Sequence, residues 1–481
     1  MSRAKSLLYV GHTKNWIKPQ SPQRTPRPKA WPNPSVLSVL SVATFFRSKS
    51  WCALHIAIAA FLSITILSIQ PMTRAQQGQM DDNPLSAGQD QKKALKFGEA
   101  IYQAIGFGNT FMVVTEAGNV IIDTSMPFNA ARHKQLLQAE NAGPVKYIIL
   151  THAHGDHTGG VPAWKQPDTQ IIAQKNHVEF RHYQTRLSGF FARRNAAQFS
   201  MRIPDPGPWP GNYGSKIEPT ILFDDKYEFE LGGVKFEVFS TPGETPDHAT
   251  VWVPKYKAAF IGDNFYMSFP NIYTLRGTQP RWALDYVNSL NKVLALKPEI
   301  VLPSHGAPII GNAEIVKQLT RYRDAIQYVH DETVKGMNAG KDVWTLMNEI
   351  KLPPELNIGA SYGKLSWSVR GIYEGYVGWF DLNPATMYEK PASSVYPDVV
   401  KLAGGPDAVA RLAMERAQAG QAVEALHLSD MALAADANHK LSLEAKLKAL
   451  ETLRSRCRNS NERGWLEFSI SQVKSKLGVK P

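Results

Sequence analysis

The stretch Leu150-Thr151-His152-Ala153-His154-Gly155-Asp156-His157-Thr158-Gly159-Gly160 concentrates three imidazoles and one carboxylate directly after an apolar run. His152 and His154 are two residues apart, so on an extended chain their imidazoles project to one side. Gly155 permits a sharp turn that brings Asp156 and His157 to a second position. One loop can thus offer four ligands to two adjacent metal ions. Nitrogen and carboxylate oxygen without thiolate suit zinc, with iron or manganese as alternatives. The chain's two cysteines cannot change this donor set: Cys52 lies in an apolar run and Cys457 has no base beside it. A zinc ribbon and an internal disulfide of the exported part are both excluded.

Three further candidates stand beside short apolar runs. His248 closes Thr241-Pro242-Gly243-Glu244-Thr245-Pro246-Asp247-His248, Asp263 ends Phe260-Ile261-Gly262-Asp263, and His305 stands in Ser304-His305-Gly306. Such positions cluster if the runs are strands whose ends meet at one edge of a sheet sandwich.

Alternating or wholly apolar runs predict strands at 111–115, 120–123, 147–150, 170–173, 220–223, 227–231, 234–239, 249–253, 258–261 and 299–302. Helices are predicted at 129–141 and 281–296. Strand pairs interspersed with helices form an α/β body in two sheets, with helices packed outside. From 313 onward the period becomes helical, over 313–337, 342–350, 366–380, 405–419, 422–435, 439–456 and 463–476.

The HxHxDH loop, the Pro-Gly segment ending in His, Gly-Asp and Ser-His-Gly together resemble the metallo-β-lactamase superfamily. That resemblance implies an αββα sandwich with His152, His154 and His248 on one metal and Asp156, His157 and His305 on the other. Asp263 would bridge the two ions, and the implied nucleophile is a metal-bound hydroxide that Asp156 helps to orient. The segments Asn271-Ile272-Tyr273-Thr274-Leu275-Arg276-Gly277 and Ser368-Val369-Arg370-Gly371-Ile372-Tyr373-Glu374 are similar to those of the alkyl sulfatases. In that family a helical dimerisation domain follows the metal-binding domain. Alkyl sulfatases typically place Glu where this chain has His248, and again where it has Asp263.

Arg276 is the candidate for holding an anionic group, because a guanidinium fork matches sulfate or carboxylate oxygens. Arg193, Arg194 and Asn195, within a long 176–216 insertion, read as a solvated face. His177 and His182 miss the i, i+4 spacing of paired ligands. With His133, His330, His427 and His439 they read as surface or core residues. Aromatic residues of 362–380 recur at helical spacing and read as core or interface.

The formal charge of +12 invites a nucleic-acid partner, but residues 1–50 carry nine Lys and Arg and no acid. The basic excess therefore belongs to a leader, and no polybasic stripe follows it. The apolar run 56–69, preceded by Arg47 and Lys49 and followed by Thr73-Arg74-Ala75, has the order of a secretory signal. The expected organisation is a leader with signal peptide or anchor over 1–75, a linker over 76–95, a catalytic domain over 96–312 and a helical dimerisation domain over 313–481. The expected protein is exported, periplasmic or secreted, and membrane-anchored if the signal stays uncleaved. It is expected to be a homodimeric hydrolase with two divalent ions, zinc first, acting on an anionic small-molecule ester, foremost an alkyl sulfate. A hydrolase of another ester, lactone or amide is the alternative; a metal-stabilised binding or assembly module is an alternative of another class.

Overall fold

The computed structural model describes residues 84–199 and 217–479. The leader and signal (1–75), residues 76–83 of the linker and residues 200–216 of the insertion lie outside the described residues. Among those described, no helix is long and apolar enough to cross a membrane.

Two mixed sheets form the first part of the chain. One runs β1 (Leu95–Phe97), β2 (Ile101–Ala104), β3 (Thr110–Thr115), β4 (Gly118–Ile122), β5 (Val145–Ile149), β6 (Gln170–Gln174) and β7 (Ile221–Phe223), in that spatial order. Its first four strands meander antiparallel, and β4 to β7 are parallel. The other contains β8 (Lys226–Leu231), β9 (Val234–Ser240), β10 (Ala249–Val253), β11 (Ala258–Gly262), β12 (Ile300–Pro303) and β13 (Ile309–Ile310), likewise in order.

Strand periodicity assigns each face its partner. Val120 and Ile122 enter the layer between the sheets with Phe111, Phe236, Val251 and Phe260. Ile121, pointing the opposite way, packs outward with Leu137 and Trp164. Those two residues belong to α1 (Pro127–Gln138) and α3 (Val161–Trp164), which cover the first sheet; the single-turn α2 (Gly155–Thr158) lies between them in sequence. The second sheet is covered by α6 (Ala283–Ala295), whose Tyr286, Leu290 and Val293 share one helical face and join Trp252, Ala259 and Ile261. The architecture is therefore α/β, an αββα sandwich. Helices α4 (Asn176–Arg186) and α5 (Ser188–Gln198) form the described part of the insertion.

The remainder is helical: α7 (Asn312–Asn338), α8 (Val343–Glu349), α9 (Leu365–Val377), α10 (Tyr396–Leu402), α11 (Pro406–Gln418), α12 (Ala422–Ala435), α13 (Lys440–Arg456) and α14 (Ser460–Lys476). Helices α7 to α9 share the core of the second sheet, while alanines such as Ala417, Ala425 and Ala449 let α11, α12 and α13 approach closely. Segment 376–402 leaves Trp379, Leu382, Tyr388 and Leu402 between 67% and 89% exposed.

Candidate metal centre

The carboxyl ends of β4, β5, β11 and β12 meet at one edge of the sandwich and carry the titratable cluster. Asp123, directly after β4 and fully buried, organises it. Its Oδ1 accepts the Thr151 N–H, and its Oδ2 accepts the hydroxyls of Thr151 and Ser304, each at 2.8 Å. The same Oδ2 lies 2.8 Å from His157 Nδ1. A proton held there by Asp123 leaves His157 Nε2 as a lone-pair donor.

His152 Nε2 and His154 Nδ1 face each other at 2.9 Å, as the two-residue spacing on an extended chain predicts. The anticipated turn at Gly155 is helical. Gly155 starts the single turn α2, which swings Asp156 and His157 round without a left-handed residue. Left-handed glycine is needed elsewhere: at Gly108 (φ +80°), a Cβ would stand 2.0 Å from the Asp156 carbonyl oxygen.

Two groups of candidate ligand atoms result, Asp156–His157–Asp263–His305 and His152–His154–Asp263. Asp263 is the residue they share. Its carboxylate lies 3.5 Å from His157 Nε2, 3.8 Å from His152 Nε2 and 3.2 Å from His305 Nε2. Asp156 Oδ2 is 3.3 Å from both His157 and His305. His157 Nε2 and Asp263 Oδ1 are buried without a hydrogen-bond partner. Orphaned donor atoms of this kind, in a cluster converging from three stretches of backbone, fit divalent cations.

The protonation pattern is that of crowded acids and bases. Burial opposes the charged form of Asp156, but His157 and His305 hold its carboxyl well below the usual range. Burial is likewise overcome at Asp263, by His305, His157 and His152. Burial would lower His305, yet Asp263 and Asp156 push it up to about 10. Burial keeps His152 and His154 well below 6.5, where they are neutral bases.

His248 does not face this cluster as a free donor. Its Nε2 accepts the Asp263 backbone N–H at 3.1 Å, and its Nδ1 lies 3.2 Å from Thr241 Oγ1. Both nitrogens are engaged, and neither group of candidate ligand atoms includes His248, which instead supports the Asp263 peptide. The residue at the cavity is Glu244, four positions earlier and unremarked in the sequence. Its Oε1 is 3.9 Å from His154 Nδ1 and forms a close ion pair with Arg281, while Tyr286 donates to Oε2 at 2.8 Å. The signal was its place after Pro242-Gly243 in the same segment, one turn ahead of the more conspicuous histidine.

A cavity opens over the cluster, lined by His154, Asp156, Glu244, Asp263 and His305 together with Arg276 and Tyr362. Arg276 makes no ion pair with an acid among the described residues. Its Nε is buried without a partner, and its guanidinium reaches one acceptor, Asn195 Oδ1, at 3.5 Å. Phe107, Phe180, Phe191 and Phe199 also line the cavity. The rings of Phe107 and Phe180 lie 5.4 and 5.7 Å from those of His305 and His154.

The solvated-face reading holds for exposed Arg193 but is corrected for its neighbours. Arg194 donates to Arg276 O at 2.6 Å and to Leu275 O at 2.5 Å, and Asn195 is buried at the cavity. Of the remaining histidines, His177 is buried 3.0 Å from Asp247, whereas His182 is exposed. His133 is buried against Thr110, and His330 and His439 pair with Asp331 and Asp407.

Comparison with known proteins places this geometry. Residues 104–305 match the metallo-beta-lactamase superfamily and residues 344–475 match alkyl sulfatase dimerisation. A linear primary-alkylsulfatase of Pseudomonas sp. (strain ATCC 19151) is 30% identical over 391 residues, 76% of this chain and 74% of that protein. An alkyl/aryl-sulfatase of Saccharomyces cerevisiae is 27% identical over 74% of this chain and 60% of its own length. A solved structure of a stereoselective inverting sec-alkylsulfatase from Pseudomonas sp. superposes with a TM-score of 0.72 at 23% identity, covering 80% of this chain and 66% of that one.

Proposed function

Since this chain belongs to the alkylsulfatases of the metallo-β-lactamase superfamily, metal-dependent hydrolases of sulfuric esters, we propose that it hydrolyses alkyl sulfate esters with two divalent cations. The observation that carries this reading is the buried group of orphaned imidazole and carboxylate atoms opening into a cavity that also holds an arginine with no acid partner among the described residues. His152, His154 and Asp263, with Glu244 beside them, would hold one ion; Asp156, His157, His305 and Asp263 would hold the other. The donor types favour zinc. Bound there, such cations lower the pKa of water and offset the charge of a sulfate group.

The chain's own residues do the rest. Arg276 binds the anionic head through its unused N–H groups, and Tyr362 shares that wall. Asp156 orients the attacking water from between His157 and His305. Phe107, Phe180, Phe191 and Phe199 take the alkyl group out of water, which contributes roughly 25 cal/mol per Å² of apolar surface buried. Export by the 1–75 leader and a homodimer formed through the helical region complete the proposal.

The test is sulfate release from dodecyl sulfate by zinc-loaded protein, measured beside lactone and β-lactam substrates, with metal content determined in parallel. Two ions per chain and turnover of the sulfate ester alone are expected. Activity that survives exhaustive chelation, or preference for a lactone, would sink the reading.

A further inference from the structure

Arg276 and Tyr362 reach the cavity from two separate loops; α14, the last helix of the described chain, holds the Tyr362 loop directly and packs on α5, which holds the Arg276 loop. At its start, Asn459 Nδ2 donates to the carbonyls of Ala360 and Tyr362, each at 2.8 Å, while its Oδ1 caps the helix by accepting the Glu462 N–H. Asn461 Nδ2 donates to Tyr362 O at 3.0 Å, and the Ser460 N–H to Ser361 O at 2.8 Å. Asn459 and Asn461 are both buried, so these bonds face no competition from water.

One turn further on, α14 meets α5. A Cβ on Gly464 would stand 1.8 Å from the Gln198 carbonyl oxygen, so only glycine permits this approach. Trp465 Nε1 donates to Gln198 Oε1 at 3.4 Å, and its ring lies 5.3 Å from the Arg194 guanidinium. Gln198 Oε1 accepts the Arg276 backbone N–H at 2.9 Å; Arg194 Nε donates to the Arg276 carbonyl at 2.6 Å. The peptide groups of Arg276 are thus gripped on both sides by α5. Because its side chain has one long hydrogen bond among the described residues, its direction is inherited from that grip.

We infer that α14 is a brace for the anion site, with Asn461, Trp465, Gln198 and Arg194 acting as positioning residues that aim Tyr362 and Arg276. This rests on the reading of Arg276 as the anion-binding group. It gives the helical region a task in substrate binding.

The experiment uses full-length, zinc-loaded protein and the variants Gln198→Leu, Trp465→Ala and Trp465→Phe. Calorimetry with inorganic sulfate, KM and kcat for dodecyl sulfate, metal content and amide hydrogen exchange over 274–277 are measured. Loss of one hydrogen bond or ring contact should raise Kd and KM about tenfold in Gln198→Leu and Trp465→Ala, with kcat and metal content nearly unchanged. Exchange at Arg276 should accelerate in both, and Trp465→Phe, which keeps the ring under Arg194, should recover most of the loss. Wild-type binding and exchange in both variants of an active enzyme would overturn the brace alone. A wild-type protein that neither binds sulfate nor cleaves a sulfate ester would overturn the anion-site reading beneath it.

Discussion

Glu244 and His248 lie four residues apart on one loop, yet their side chains have exchanged the roles that residue type suggests. The imidazole is saturated by the Asp263 peptide and Thr241, while the carboxylate stands beside His154. Glu244→Gln should therefore lose metal and more than about a hundredfold in kcat/KM. His248→Gln, which keeps an acceptor for the Asp263 N–H, should retain metal and stay within about tenfold. Metal analysis beside steady-state kinetics separates them. A second prediction concerns stability. Burial first, then neighbouring Arg132, lowers His133 to about 4 from an ordinary 6.5, so the folded state resists a proton that the unfolded chain accepts. The stability this contributes is complete above pH 6.5 and is lost as pH falls toward 4, by on the order of 3 kcal/mol. Denaturant midpoints of His133→Gln should show a flatter slope than wild type across that interval.

The elements that deliver the site are short and tightly registered. Strand β11 ends at Gly262, whose φ of +52° lets the chain turn so that Asp263 follows under His248. A Cβ there would come within 2.3 Å of His248 Nε2. Gly262→Ala should cost the left-handed penalty of about 1–2 kcal/mol plus displacement of His248, seen as a lower melting temperature together with reduced metal content. The strands and most helices were legible because their patterns have periods of 2 and 3.6, as at β4 and α6. The weak signals were β1 and β2, whose short runs carry no long alternation, and α5, where Arg194 and Asn195 look like solvent-facing residues. Their partners, Leu275, Arg276 and Trp465, lie far away in sequence, and no local period announces such a contact.

At the scale of the molecule, the sandwich and the helical region are joined through α7 and α9 to the second sheet's core and through α14 to α5. The exposed apolar residues of 376–402 give that helical region a surface suited to a second copy of the chain. Sedimentation of the wild type should show a dimer, and Leu382→Asp with Leu402→Asp should shift it to monomer while leaving the melting of the sandwich unchanged.

Residue type and spacing alone determined the imidazole and carboxylate donor chemistry, the position of the candidates beside strand ends and the order of α/β body and helices, because these follow from local composition and periodicity. Only the tertiary structure decided which of Glu244 and His248 turns to the cavity, and that Arg276 lies beside Asn195 with no acid partner among the described residues. Those outcomes depend on hydrogen bonds and ion pairs from Asp263, Arg281, Tyr286 and α5, which packing brings together across long sequence separations.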